Sequence, residues 1–277
     1  MNVLSPQDLL LLHDEQLRTA AELDGAADPG RIGPLWVGRF GSAGFVSYRD
    51  LAGIDAAGID DLIAAVLARF AADPAVVEVE WKTRGHDAVP FLADRLLAAG
   101  FAPQEPETVM VGQAESLTGS APPPPPPPVT VRRAGDGGDL AGDVAAATRL
   151  HQAVFGEVHA GGAEVLLEVL TRAPDRNQLW FAEAGGAVIG TGRLARAPGT
   201  RFVGLFGGAV APAWRHHGIY RVLTAARAAA ALELGCDLVY AECTPFSRPI
   251  LARSGLVAVT TATAYIWSNR SNRPAQP

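Results

Sequence analysis

Two hydrophobic rhythms alternate along this chain. In "DDLIAAVLARFAADP" (60–74), Ile63, Val66, Leu67 and Phe70 recur at three- and four-residue steps. That spacing predicts an amphipathic helix, which Pro74 closes. In "LWVGRFGSAGFVSYRDLAG" (35–53), strand-forming residues flank a glycine turn, which predicts two paired strands. Before them, Ser5 caps a first helix, with Pro6 at its first position and Asp8 in its first turn. After them come a strand at "AVVEVEW", a helix at "AVPFLADRLLAAGF" ended by Gly100, and a strand at "ETVMVG".

A second series begins with the strand "VTVRRA" and helical stretches from Asp139 to about Phe155 and over 164–172. Strands "LWFAEA" and "AVIGTGRLA" follow, joined at Gly185-Gly186. Then come strand "FVGLFGGAV", a helix beginning near Gly218, strand "LVYAEC", a short helix "RPILARSG" and strand "ATAYIW". The two series echo each other: "PFLADRLLAAGF" and "PILARSGL" each lead a short helix into a glycine, an apolar residue and a strand. The echo suggests a duplicated, diverged unit.

Seven consecutive prolines at 122–128 separate the series. They fit neither a helix nor a central strand. They predict a stiff polyproline II rod, about 3.1 Å per residue and roughly 22 Å long. The run reads as a spacer, the alternative being a ligand for an aromatic groove. The expected division is 1–118, a linker at 119–128, a domain at 129–270 and a polar tail at 271–277.

Composition narrows the class. Hydrophobic residues make up 48% and charged residues 19%, so a substantial core is available. The net charge of −6 argues against a general binder of nucleic acid or anionic membrane, while leaving room for one basic pocket. Arginine supplies 22 of the 23 basic residues, Lys82 being the lysine; this reads as coding bias. Cys236 and Cys243 have neither a second pair nor CxxC spacing, which points away from a disulfide framework or zinc site. No apolar run approaches the ~18 residues of a membrane helix, and "LLLL" at 9–12 runs into acids. The expectation is a cytoplasmic protein, monomer or homodimer, without nucleic acid or membrane as partner.

The stretch "PAWRHHGIYRVL" (212–223) carries the chemistry. A strand running into a helix leaves free N–H groups at the junction, and the helix dipole adds positive charge. Such a junction accepts phosphate. Gly218 lets an anion reach the main chain, Arg215 adds a fixed charge and Pro212 supports the turn. Gly204, Gly207 and Gly208 in the preceding strand mark close approach by a ligand or another backbone. From spacing alone, a glycine that merely eases a tight turn explains Gly218 equally well.

Residues 210–220, "VAPAWRHHGIY", resemble the acyl-CoA-binding motif Q/R-x-x-G-x-G/A of the GCN5-related N-acetyltransferase (GNAT) superfamily, through Arg215 and Gly218. Tyr220 takes the place of the usual last small residue. "TPFSRPILARSGL" (244–256) resembles the family's following loop, helix and Gly-Phe signature, with Leu256 for the Phe. The resemblance implies an α/β fold, α+β with a mixed sheet: two acyl-CoA N-acyltransferase (GNAT)-like halves joined by the polyproline linker. The arrangement is similar to tandem-GNAT proteins, with a degenerate N-terminal half. In that half "AGIDAAGIDDL" (52–62) stands where the phosphate loop belongs, and Asp60 and Asp61 are expected to open its helix and repel phosphate.

The implied activity is an acyltransferase reaction: direct acetyl transfer from acetyl-CoA, the cosubstrate, to the primary amine of a small molecule. The implied acetyl-CoA contacts are Val210, Ala211, Arg215, His216, His217, Gly218, Ile219 and Tyr220. A base must take the amine proton, and Glu242 is the candidate, with a surface or ion-paired carboxylate as the plainer reading. A backbone N–H on the strand ending at Val210 would hold the oxyanion. The departing thiolate needs an acid, and the family's usual tyrosine position holds Leu251. Ser247 is the substitute donor, with a helix cap as its plainer role. Glu157 and His159 are further candidates near the acceptor, or simply solvated loop residues.

Three look-alikes carry less. "GTGRLA" (190–195) matches a dinucleotide pattern, but Pro198 and Gly199 follow, so it reads as a strand. His216 and His217 lack a third ligand at metal spacing. Cys243 has no base placed for it and reads as a small buried residue. The rival functions are a non-catalytic acyl-CoA sensor, motivated by Leu251, and a protein-interaction module recruited through the proline run.

Overall fold

A computed structural model describes residues 3–119, 129–156 and 162–269. The proline run, the tail from 271, and Glu157 and His159 lie outside the described residues. The elements in chain order are α1 (Pro6–Gln16), β1 (Ala27–Ile32), β2 (Leu35–Phe40), β3 (Ala43–Ser47), α2 (Ala56–Ala71), β4 (Glu78–Arg84), α3 (Leu92–Ala98), β5 (Ala102–Pro103), β6 (Glu107–Gln113) and α4 (Ala114–Gly119). Then come β7 (Val129–Arg133), α5 (Leu140–Phe155), α6 (Gly162–Arg172), β8 (Asn177–Ala184), β9 (Ala187–Arg196), β10 (Phe202–Val210), α7 (Ile219–Glu233), β11 (Leu238–Cys243), α8 (Arg248–Arg253) and β12 (Val257–Ser268).

The helix-start chemistry is as the sequence predicts for α1. Ser5 Oγ accepts from the Asp8 N–H at 3.2 Å, and Asp8 accepts from the Ser5 N–H at 3.0 Å. This reciprocal box satisfies two N–H groups that the helix itself cannot. The start of α2 differs from expectation. It begins at Ala56, and Asp55 is its N-cap, accepting from the Gly58 N–H at 2.9 Å. Asp60 and Asp61 therefore sit a turn inside the helix, and Asp60 pairs with Arg95 at 3.1 Å.

The chain forms two compact units that do not follow the order of the sequence. One contains Leu10–Val109 and the segment from Thr260; the other contains Met1–Leu9 and Met110–Val259. In the first, the strand order is β1-β2-β3-β4-β12, with β5 also on β12. β3 and β4 are parallel, and β12 runs antiparallel to β4 from Ala262↔Arg84 to Ser268↔Glu78. The buried stripe of α2, Ile59, Ile63, Val66 and Phe70, joins Val37, Val46, Val79 and Trp81 in one core. Its 4-3-4 spacing is the helical period.

In the second unit the order is β6-β11-β10-β9-β8-β7. β10 is parallel to β11, whereas β7, β8, β9 and β10 run antiparallel in turn. On one face Leu194, Val203 and Leu205 pack with Ala228 and Ala231 of α7. On the other, Leu179 and Phe181 pack with Val144 and Ala147 of α5 and Leu170 of α6. From Met110 on, β6, the last strand before the proline run, belongs to the unit built mainly from residues after it. From Thr260 on, β12, the last strand of the chain, belongs to the unit built from residues before it. The terminal strands have thus traded places, and a division at 119–128 along the chain is a different division from the compact one.

Candidate active site

The central feature is where β10 leaves β11. The parallel pairs are Phe202↔Leu238, Val203↔Val239 and Gly204↔Tyr240. β10 continues to Val210 and β11 to Cys243, without further pairing between them among the described residues. Peptide groups on that edge of β10 are open to an extended ligand. On its other edge β10 stays paired with β9, but between Phe206 and Ala209 two residues of β10 pass one of β9. This bulge falls at Gly207 and Gly208, and Gly207 takes φ +57°. A bulge bends and twists a strand, here close to where β10 departs.

Glycine is required on each side of the bulge. A Cβ at Gly208 would stand 2.7 Å from the Tyr220 ring, and one at Gly207 would stand 3.3 Å from His151. His151 Nε2 donates to the Gly207 carbonyl at 2.8 Å. That hydrogen bond ties α5 to the bulge and fixes the protonated nitrogen as Nε2.

β10 then runs through Ala211, whose N–H donates to the Ile189 carbonyl at 2.8 Å, into a 3-10 turn at Pro212–Trp214. Arg215, His216 and His217 follow, all exposed, with His216 at φ +66°. His217 Nδ1 donates to the Arg215 carbonyl at 2.8 Å, and its ring packs edge-on against Trp214. Gly218 is the N-cap of α7 at φ +76°, and no side chain hydrogen bond closes this end. A helix's first N–H groups have no acceptor within it. A Cβ on Gly218 would meet open space, so the surface there is free. The glycine serves both readings the sequence left open: it makes the left-handed turn and leaves the helix end bare. The contrast with α2 is direct, since the Asp55 carboxylate already occupies that helix end.

The predicted residues fall as follows. Val210, Ala211, Arg215, His216, His217, Gly218, Ile219 and Tyr220 form one continuous stretch from the end of β10 to the first turn of α7. Ile219 is buried, and the Tyr220 ring turns inward onto Gly208, so these two offer a ligand mainly backbone. Glu242 is half-buried on β11, two residues past Tyr240 and on the same face. Ser247 is the N-cap of α8 without a side-chain cap hydrogen bond. Its hydroxyl is free among the described residues, beside Phe246, which is 87% exposed.

Leu251 is 1% exposed and packs with Val239, Cys243 and Leu256. Its side chain is core. Cys243 is buried, and burial pushes the Cys236 thiol up. "GTGRLA" is part of β9, and no cluster of three metal-binding side chains occurs among the described residues.

Sequence reasoning passed over Arg193 and His151. Strand alternation supplies the missing signal. Gly190, Gly192 and Leu194 face α7, which leaves Thr191 and Arg193 on the α5 face of a buried strand. An arginine in the middle of an apolar strand is the feature to notice.

Residues 145–251 match the profile of the acetyltransferase (GNAT) family. No curated protein matches the chain. Several solved structures share its fold nearly end to end. A GCN5-related N-acetyltransferase from Kribbella flavida superposes with a TM-score of 0.66 at 16% identity, covering 96% of each chain. A GCN5-related N-acetyltransferase from Sphaerobacter thermophilus gives 0.61 at 15% identity, over 99% of this chain and 96% of that one. A tandem GNAT protein from the clavulanic acid biosynthesis pathway gives 0.57 at 13% identity, over 99% and 98%.

Proposed function

We propose that this chain, whose residues 145–251 match the acetyltransferase (GNAT) family, is an acyltransferase that moves an acetyl group from acetyl-CoA to a primary amine of a small molecule. One observation carries the reading: the bare N-terminus of α7 at Gly218 directly follows a strand released from its neighbour after Gly204. An open helix end fits the pyrophosphate, and an unpaired strand edge fits the extended, amide-bearing arm of CoA.

In this reading the backbone from Gly218 to Tyr220 holds phosphate oxygens, with Arg215, His216 and His217 at the rim. Val210, Ala211 and the free edge of β10 take the arm. In the reaction the amine nitrogen bonds to the acyl carbon, the carbon–sulfur bond breaks, and the amine's proton is lost while the thiolate gains one. N–H groups on the β10 edge hold the charge that develops on the acyl oxygen. Glu242 takes the amine proton, directly or through water. Ser247, with its hydroxyl uncommitted, supplies the thiolate proton in place of the inward-packed Leu251.

The N-terminal half binds no acetyl-CoA in this reading, because Asp55 fills the helix end that a phosphate would need. The linker 119–128, with its proline run, is a connector between the sequential halves 1–118 and 129–270. No helix among the described residues is long and apolar enough to cross a membrane. We place the protein in the cytoplasm as a monomer or homodimer.

Calorimetric titration with acetyl-CoA tests the reading. One equivalent of saturable binding is expected, followed by thiol release when an amine panel is added. A chain that binds no acetyl-CoA would refute it.

A further inference from the structure

The α5 face of the sheet holds an arginine for which the described residues offer no hydrogen-bond or ion-pair partner. Arg193 stands mid-strand on β9, opposite Phe206 of β10 and Leu179 of β8. Its side chain crosses to the bulge, with Nε 3.4 Å from where a Cβ of Gly207 would lie. Among the described residues its guanidinium has neither a hydrogen bond nor an ion-pair partner.

Other semi-buried or buried arginines here show what a structural role looks like. Arg132 meets Asp143 at 2.6 Å and Glu183 at 2.8 Å. Arg18 meets Asp87 at 2.7 Å, and Arg84 meets Glu22 at 2.8 Å. Arg227, on the opposite face, donates to the Leu223 and Arg193 carbonyls at 3.0 Å each.

Arg193 is half-buried, and a cation partly withdrawn from water without a counter-charge carries a desolvation cost. Burial pushes the Arg193 pKa down. A second orphan lies two residues away on the same face. Thr191 is 1% exposed, and its hydroxyl has no hydrogen-bond partner. Leaving two polar groups unpaired on one face of one strand is explained if a ligand completes them.

We infer that Arg193, supported by Thr191, receives a carboxylate on the acceptor, so that the amine acetylated here is one carried by a small carboxylic acid. The inference rests on the acetyl-transfer reading and deepens it. Guanidinium and carboxylate match as a bidentate, charge-assisted pair. The placement also fits the chemistry. β9 and β11 flank β10, so Arg193 and Glu242 stand at least two strand spacings apart, roughly 10 Å, on one face. A short acceptor spans that gap with its carboxylate toward Arg193 and its amine toward Glu242.

The test offers glycine, β-alanine and γ-aminobutyrate beside their amides, with acetyl-CoA, to the wild type, Arg193→Gln and Arg193→Lys. In the wild type an acid should exceed its amide by roughly 10- to 100-fold in kcat/KM. The ratio should fall to near one in Arg193→Gln, mainly through KM, and partly return in Arg193→Lys. Acetyl-CoA affinity should be unchanged in both variants. Ligand-free Arg193→Gln should melt no lower than wild type, whereas loss of a structural arginine would lower the melting temperature. Propionate and butyrate, which lack an amine, should stabilise the wild type and not Arg193→Gln.

An acid-to-amide ratio near one in the wild type overturns the inference. So does carboxylate stabilisation that is absent or equal in both proteins. A preference for succinyl-CoA over acetyl-CoA that Arg193→Gln abolishes also overturns it, since Arg193 would then read the donor. Failure of acetyl-CoA to bind at all would instead remove the reading beneath it.

Discussion

The guanidinium of Arg227 occupies the place where a side chain at Gly192 would stand: a Cβ there would lie 2.7 Å from its Cζ. From that position Nη1 donates to the Arg193 carbonyl at 3.0 Å, and Nε donates to Leu223. Arg227 is 1% exposed, and carbonyl oxygens rather than a carboxylate hold it. It clamps α7 to the α7 face of β9 at the residue whose side chain emerges on the other.

The pair makes a clean cycle. Arg227→Ala leaves a void and an unsatisfied carbonyl, and should cost about 2–4 kcal/mol. Gly192→Ala should also destabilise, because its methyl collides with Arg227. The double variant should be more stable than the sum of the two predicts, since the new methyl enters vacated space. Urea unfolding of the four proteins measures the coupling, and simple additivity would contradict the packing described.

Gly218 separates geometry from charge. Gly218→Ala meets no neighbour but must hold a left-handed backbone, at a cost of about 1–2 kcal/mol. Gly218→Asp adds a carboxylate at the helix end, in the place Asp55 fills on α2. Calorimetry should find acetyl-CoA binding weakened in the alanine variant and lost in the aspartate variant. Equal affinities in wild type and Gly218→Asp would move the phosphates elsewhere.

Ser247 is expected to act on the chemical step. Ser247→Ala should lower kcat at least about 10-fold and leave acetyl-CoA affinity unchanged. Because its hydroxyl makes no cap hydrogen bond, the melting temperature should hold. A variant that turns over at the wild-type rate would assign thiolate protonation to water or another group.

The polar cluster around α1 predicts an acid limit. Burial would raise the Asp14 pKa, but hydrogen bonds from His13 at 3.1 Å and His86 at 2.7 Å, with the Arg18 charge, outweigh it and hold the carboxyl at about 2. A depressed carboxyl contributes its stability above the unfolded value of 3.8 and loses it as pH falls through about 2. Denaturant melts between pH 4 and 2 should show a loss of about 1–2 kcal/mol from this group. Asp14→Asn should flatten that part of the profile.

The alternation and capping signals made most elements legible. Ser5, Pro6 and Asp8 start α1, Asp139 starts α5, and Gly185-Gly186 turns β8 into β9, as their chemistry requires. The start of α2 was misread because three aspartates compete there, and only geometry selects Asp55 as the cap. β1 (ADPGRI) was invisible, since a strand carrying proline and glycine has no period to detect. The helix-end loop was legible because a glycine at a strand-to-helix junction is a local backbone signal. Arg193 was not, because its meaning lies in contacts it lacks, which span β8, β9, β10 and α5. Strand pairing across the proline run was also hidden, as no local pattern encodes which sheet a terminal strand joins.

The traded strands bear on how this chain survives change. A gene cut at the proline run encodes two fragments, each missing a strand its own sheet needs and carrying one that has lost its berth. Neither fragment is expected to fold alone, whereas a chain nicked in that run after folding should stay assembled. Loss of the N-terminal half would therefore also remove β6 from beside β11. That dependence would give the N-terminal half a reason to persist even if it binds no phosphate.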